Sequence, residues 1–229
     1  MHYILNIETA TTVCSVSITQ DGHILGYKEI DNGFTHSENL HLFINDLLID
    51  FNISIKQLSA IAISKGPGSY TGLRIGVSAA KGLAYALNIP LISVDTLKIM
   101  AYQVSQLNTG YDFFCPMIDA RRMEVYTCVY DTQLNSQILT QALIIDSLSI
   151  KTFDSFSSIC FFGDGMLKCK EVISLLQNTV CIDNIKPSSQ YMCALSYEKF
   201  LKEAFEDIAY FEPFYLKDFL ITSKKTSTN

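Results

Sequence analysis

The chain has no tryptophan, only five prolines and four histidines, and a charged fraction of just 17% across its 229 residues. It also lacks any run approaching the about 18 consecutive apolar residues of a membrane span, so no span is expected. Met1 to Asn6 has neither the basic start nor the long apolar stretch of a secretion signal, and a cytoplasmic location is the expectation. None of the seven cysteines (Cys14, Cys115, Cys128, Cys160, Cys169, Cys181, Cys193) forms a C-x-x-C pair. Odd in number and dispersed, they read as buried free thiols, not as a disulfide framework or a zinc site. Basic clusters are missing too. Seventeen Lys and Arg against 23 Asp and Glu leave a net charge of −6, which disfavours unaided nucleic-acid binding, because neutralising phosphates takes clustered cations. Apolar residues, in contrast, make up 48% of the chain, enough for a buried core in one large domain or two small ones.

Periodicity gives the organisation. Tyr3 to Ile7, Val13 to Ile18 and Ile24 to Ile30 read as a three-stranded meander, with Asp21-Gly22 supplying a tight hairpin turn. Thr35 to Asp50 places Leu40, Phe43, Ile44, Leu47 and Leu48 at helical spacing, with Thr35 as N-cap and Glu38 completing a capping box. Leu58 to Ser64 is a strand, Thr71 to Leu87 a helix and Leu91 to Val94 a strand. The second half repeats the order: strands at Phe113 to Ile118, Glu124 to Tyr130 and Gln137 to Leu143, a weak helix near Asp146, a strand at Ile159 to Phe162, a helix from Met166 to Leu176 and a strand at Val180 to Ile182. Glu8 and Asp119 each follow the first strand of their copy, which predicts two similar α/β lobes facing across a cleft. The expected division is residues 1–102 for the N-terminal lobe, 103–188 for the C-terminal lobe, 189–221 for a C-terminal helix able to pack back on the N-terminal lobe, and 222–229 for a frayed tail.

The standard chemical motifs fail one by one. In the string Ser64 to Gly76, counting from Gly66 puts Thr71, and from Gly68 puts Leu73, where a P-loop needs its second glycine; the dinucleotide pattern also demands glycine at Thr71. His36 and His41 are five apart, about 140° around a helix axis, and cannot chelate one ion. There is no H-E-x-x-H and no G-x-S-x-G. Glu8-Thr9-Ala10-Thr11-Thr12 and Asp119-Ala120-Arg121-Arg122 stand where an actin-like ATPase or sugar kinase grips phosphate, yet both lack the glycine that lets backbone approach a phosphate. Thr9, Ser69, Gly163 and Gly165 are what remains for a residual nucleotide or anion contact. The helix from Thr71 carries Gly72, Gly76, Ala79, Ala80, Gly82, Ala84 and Ala86. Helical glycines cost up to about 1 kcal/mol each against alanine, so close approach of a neighbour is expected, whether the chain's own sheet or a second protein.

Ile7-Glu8-Thr9 with Cys14-Ser15-Val16, His36-Ser37-Glu38-Asn39-Leu40, Gly66 to Gly76, Asp119 to Tyr126 and Gly163-Asp164-Gly165 together resemble the bacterial TsaB family, also called YeaZ. The resemblance implies an actin-like, Hsp70-like ATPase (ASKHA) fold: α/β, two-lobed, with a duplicated three-stranded meander and a degenerate nucleotide site. It implies a non-catalytic scaffold that binds and activates TsaD, the subunit that transfers a threonylcarbamoyl group to a tRNA adenosine, with the ATPase TsaE as third member. The partner surface it implies is formed by the two N-terminal helices, with His36, Leu40, Ile44, Leu47, Gly72, Ile75, Gly76, Ala79 and Leu83 as contact residues. A large residue at Gly76 or Ala79 is then expected to abolish association while the fold survives. The chain alone should form a homodimer through the same surface, tRNA being held through the complex. No metal and no tightly bound cofactor are expected, the interface of the complex being the one place left for a nucleotide. Departures are Glu8 in place of the family's Asp and a poorly matching C-terminal third. Two other classes stay open: a small-molecule kinase or ATPase of the actin-like fold, which turnover by the purified chain would reveal, and a metallopeptidase, which stoichiometric zinc would reveal.

Overall fold

Strand order carries the duplication. The computed structural model describes residues 1–33, 35–107 and 110–217. Strands β1 (Tyr3–Glu8), β2 (Val13–Gln20), β3 (His23–Asp31), β4 (Leu58–Ser64) and β5 (Leu91–Val94) form one sheet in the order β3-β2-β1-β4-β5. Strands β6 (Phe113–Asp119), β7 (Glu124–Asp131), β8 (Ser136–Ile144), β9 (Ile159–Phe162) and β10 (Thr179–Ile182) form the second, in the order β10-β9-β6-β7-β8. Each sheet is therefore an antiparallel meander extended by two parallel strands. Asp21 and Gly22 both take positive φ (47° and 86°), as the β2–β3 turn requires.

The N-terminal sheet is covered on both faces, which is why β1 and β4 are nearly continuous apolar runs. Helices α1 (His36–Asp50) and α2 (Tyr70–Leu87) close one face, where Leu40, Ile44, Leu47, Val77 and Ala80 pack with Leu5, Ile7, Val16, Ile61 and Ile63. Helix α3 (Thr96–Ser105) lies on the other, with Ile99 packed among Ile4, Ile92 and Val94. The sequence reading has no helix here and sets the lobe boundary at 102, inside α3. Leu97, Met100, Ala101 and Val104 of the same helix pack with Phe114, Cys160 and Phe162 of the second lobe, so α3 belongs to both cores.

Three other expectations need correction. The Met166 to Leu176 helix is two four-residue turns, α4 (Asp164–Leu167) and α5 (Lys170–Ile173). Thr35 precedes α1 but makes no side-chain capping hydrogen bond, so the expected capping box does not form. The C-terminal helix is a 3-10 turn (Ser189–Met192) followed by α6 (Cys193–Leu201). Helix α6 lies on the N-terminal sheet through Leu195, and the chain leaves helical geometry at Glu203, whose φ is +52°. From there it runs as an irregular strap with a turn at residues 208–210. Glu206 bridges to Leu91, Lys81 donates to the carbonyls of Ala209 and Phe211 (3.2 and 2.8 Å), the Phe214 amide donates to Lys65, and Lys217 pairs with Glu124 on the second lobe. The expected frayed tail, 222–229, lies outside the described residues.

Candidate functional site

The turn after β1 is the first of the two places where the sequence suggested a phosphate grip. Glu8 is fully buried, and its Oε1 accepts the amide of Ala10, two residues on, at 2.6 Å. Burial pushes the carboxyl up to about 7, against the lowering effect of the Ala10 amide. The loop that starts α2 is pressed onto the same turn: the Ser69 amide donates to the Ala10 carbonyl (2.6 Å), the Thr9 hydroxyl to the Gly72 carbonyl (2.9 Å), and His36 Nε2 lies 2.7 Å from the Thr11 carbonyl. Approach this close needs glycine. A Cβ at Gly68 would lie 2.2 Å from the Ala10 carbonyl oxygen, and one at Gly72 2.1 Å from that of Thr9. The turn is sealed by its own carboxylate and by the α2 loop.

The second copy repeats the device 111 residues later. Asp119 Oδ1 accepts the Arg121 amide at 2.8 Å, again two residues on, while the Asp119 amide donates to Asp164 Oδ1 at 3.0 Å. Lys168 pairs with Asp119 and donates to the Glu124 carbonyl. Gly163 and Gly165 are buried against the end of β6, where a Cβ would lie 2.2 Å from the Met117 carbonyl oxygen or 2.8 Å from the Ile118 carbonyl carbon. Thr9, Ser69, Gly163 and Gly165 each have a structural neighbour of their own. Thr9 holds Gly72, Ser69 caps α2 by accepting the Gly72 amide (3.3 Å), and the two glycines admit neighbouring backbone.

The contact residues expected on α1 and α2 divide sharply. His36, Leu40, Ile44 and Leu47 are 0–4% exposed, because the apolar stripe that makes α1 amphipathic points into its own sheet. Gly72 and Gly76 are buried too, a Cβ at Gly76 meeting Thr9 Oγ1 at 2.1 Å. Those six are corrected to interior residues of the free chain. Ile75, Ala79 and Leu83 remain half-buried and, with His41, Ser78 and Gly82, line a depression of about 400 Å³. A neighbouring hollow of about 620 Å³ lies between Lys81, Gly82 and Tyr85 on α2 and residues 206–209 of the strap. Gly82 is common to both, and no atom of the described residues stands within 4 Å of where its Cβ would be. Leu42, Ile49 and Tyr85 are exposed on the same two helices.

Sequence reasoning missed His41, Ser78, Tyr85 and the strap as parts of this face. On α2 the exposed positions Arg74, Ser78, Gly82 and Tyr85 follow helical spacing, and that signal was available. The strap's return to α2 has no local signal. All seven cysteines are free, six of them buried; burial pushes the Cys160 thiol up to about 12, as inert core thiols should be.

Comparison with known proteins fits this arrangement. A family model described as TsaD: tRNA N6-adenosine threonylcarbamoyltransferase matches residues 33–222. A tRNA threonylcarbamoyladenosine biosynthesis protein TsaB of Buchnera aphidicola subsp. Schizaphis graminum is 30% identical over 176 residues, 75% of this chain and 83% of that protein. The chain belongs to the TsaB family. The Escherichia coli K12 protein of the same description is 37% identical over 132 residues, 58% of this chain and 56% of that one. The chain thus spans a little over half the length of the first curated relatives it matches. YeaZ from Pseudomonas aeruginosa shares the fold at a TM-score of 0.81 and 24% identity, covering 94% of this chain and all of that one. A Listeria monocytogenes protein described as a putative N-acetylmannosamine kinase shares it more distantly (TM-score 0.51, 10% identity, 88% and 99% covered). The architecture is the two-lobed actin-like ATPase fold. No helix among the described residues is long and apolar enough to cross a membrane.

Proposed function

We propose that this chain is the non-catalytic partner of a TsaD-type tRNA threonylcarbamoyl transferase, a cytoplasmic scaffold that gives the transferase its active geometry. The observation that carries the reading is the sealed turn after β1: buried Glu8 accepts the amide two residues on, at the position where a kinase of this fold would hold phosphate, and Asp119 makes the same hydrogen bond in an exposed turn of the second lobe. A chain so built keeps the lobes and gives up the nucleotide chemistry. The TsaB names of its relatives support the pathway, and the TsaD description of the matching family model supports a partner of the same ancestry.

The docking face in this reading is the outer side of α2 with His41 of α1: Ile75, Ala79 and Leu83 at the centre, Gly82 letting the partner helix come near, and exposed Leu42 and Tyr85 at the margin. Without the transferase the same face pairs with a second copy as a homodimer. TsaE joins as third member, and tRNA is held through the complex, in keeping with the −6 charge. Activation follows if the transferase's active conformation binds this face more tightly than its inactive one, by the ratio of those two affinities.

Light scattering on a mixture with the TsaD protein tests the face. A complex of one copy each is expected from the parent, and no complex from Ala79→Arg with an unchanged circular dichroism spectrum. A complex of parental affinity from that variant would refute the assignment. Magnesium-dependent ATP turnover by the purified chain would favour the kinase reading, which the burial of Glu8 in the first turn opposes.

A further inference from the structure

Around the turn that joins β6 to β7, every acid is already engaged. Asp119 holds the Arg121 amide and Lys168, Asp164 holds the Asp119 amide, and Glu124 is paired with Lys217, whose ammonium also lies 6.0 Å from the centre of the Tyr126 ring. The two cations at the tip have no such counterpart. Arg121 and Arg122 are exposed, and among the described residues neither takes part in an ion pair. Both hold left-handed backbone, with φ of 70° and 51°, a conformation that costs a side-chain-bearing residue on the order of 1 kcal/mol. Hydrogen bonds from the Ala120 amide to the Glu124 carbonyl (3.1 Å) and from the Glu124 amide to the Arg121 carbonyl (3.2 Å) keep them there.

Apolar side chains stand out at the same end of the β7–β8 hairpin. Met123 is 40% exposed, Ile144, opposite Glu124 in the register, 58%, and Leu148 74%, while the Ile145 amide donates to the Met123 carbonyl and ties the two strands together there. We propose that this tip, Arg121 to Met123 with Ile144 and Leu148, is a second docking surface that takes a protein segment carrying carboxylates beside apolar side chains. The guanidinium fork matches a carboxylate, and arginine and methionine are among the residue types enriched in interface cores. RNA fits it less well. Two cations on a chain of net charge −6 neutralise few phosphates, and the three apolar residues have nothing to gain from a phosphate backbone. The surface lies on the C-terminal lobe, shares no residue with the α1–α2 face, and does not rest on that assignment.

The test replaces Arg121 and Arg122 together by glycine, which removes both cations and suits the left-handed backbone, so the fold is kept. Met123→Ser removes the apolar part alone, and Ala79→Arg runs in parallel. Affinities for the TsaD protein, the TsaE protein and tRNA are measured for each. The expected result is at least about tenfold weaker binding of one of the two proteins by both tip variants, the loss expected when interface anchors are truncated. Protein affinities within twofold of the parent, or a loss confined to tRNA, would overturn the proposal. A loss confined to Ala79→Arg would overturn it while leaving the α1–α2 face standing.

Discussion

Alanine at Gly76 and alanine at Gly82 put the same methyl group on the same helix, and the structure gives them opposite signs. Gly→Ala in a helix interior gains up to about 1 kcal/mol in helix propensity. At Gly82 no atom of the described residues stands within 4 Å of the new Cβ, so that gain is expected in full. At Gly76 the methyl would sit 2.1 Å from Thr9 Oγ1 and 3.0 Å from Ile63 Cδ1. Thr9 cannot turn away freely, because it is buried and its hydroxyl holds the Gly72 carbonyl. Forcing a methyl into a filled site costs about 1–3 kcal/mol, and stranding the Thr9–Gly72 hydrogen bond about 1–3 kcal/mol more. Even after the propensity gain, Gly76→Ala should lose about 1–5 kcal/mol, which separates the two variants by about 2–6 kcal/mol. Urea denaturation of the isolated chain measures this directly. A Gly76→Ala protein as stable as the parent, or a Gly82→Ala protein clearly less stable, would refute the argument that the first glycine serves the chain's own packing and the second does not. The earlier expectation that a large residue at Gly76 spares the fold is reversed by the same geometry.

Two further predictions concern the sealed turn and the strap. Glu8 keeps its proton in the fold up to about pH 7 but ionises near 4.5 when unfolded. Its burial therefore costs nothing below pH 4.5, costs progressively more as pH rises to 7, and levels off at about 3 kcal/mol above that. Glu8→Gln keeps an oxygen for the Ala10 amide, so its stability relative to the parent should rise between pH 5 and pH 8; an equal pH profile for the two proteins would contradict the buried neutral carboxyl. Lys81→Met leaves the Ala209 and Phe211 carbonyls, which water can partly reach, without their donor and should cost about 0.5–1.5 kcal/mol. Hydrogen exchange within residues 202–217 should quicken first, and unchanged protection there would show that the strap is held by other contacts.

Much of this fold was legible because the local signals agree with the global ones. Leu58–Ser64, Leu91–Val94 and Ile159–Phe162 appear with the limits their apolar runs suggest, and the Asp21-Gly22 turn takes its positive φ values. Helix α3 escaped because both lobes bury most of it: Leu97, Ile99, Met100, Ala101 and Val104 leave only the narrow, half-buried strip of Lys98, Tyr102 and Ser105 to set a period. The overlong reading of the last helix followed Ala204 and Phe205, which continue an apolar pattern into a segment held by Lys81, Leu91 and Lys65, contacts far off in sequence. The candidate face was half legible for a related reason. Periodicity shows which positions of a helix share a side, but not whether that side meets the chain's own sheet, and Leu40, Ile44 and Leu47 turned out to be sheet-facing. The glycine count of α2 was the right clue, divided between two neighbours: Gly72 and Gly76 admit Thr9, while Gly82 stays open.

The most direct measurement is threonylcarbamoyladenosine formation on tRNA by the TsaD and TsaE proteins, with no third protein, with the parent chain and with Ala79→Arg. The account predicts modification only with the parent, in proportion to the chain added up to one copy per TsaD. Modification at full rate without the chain, or at the parental rate with a folded Ala79→Arg protein, would contradict it.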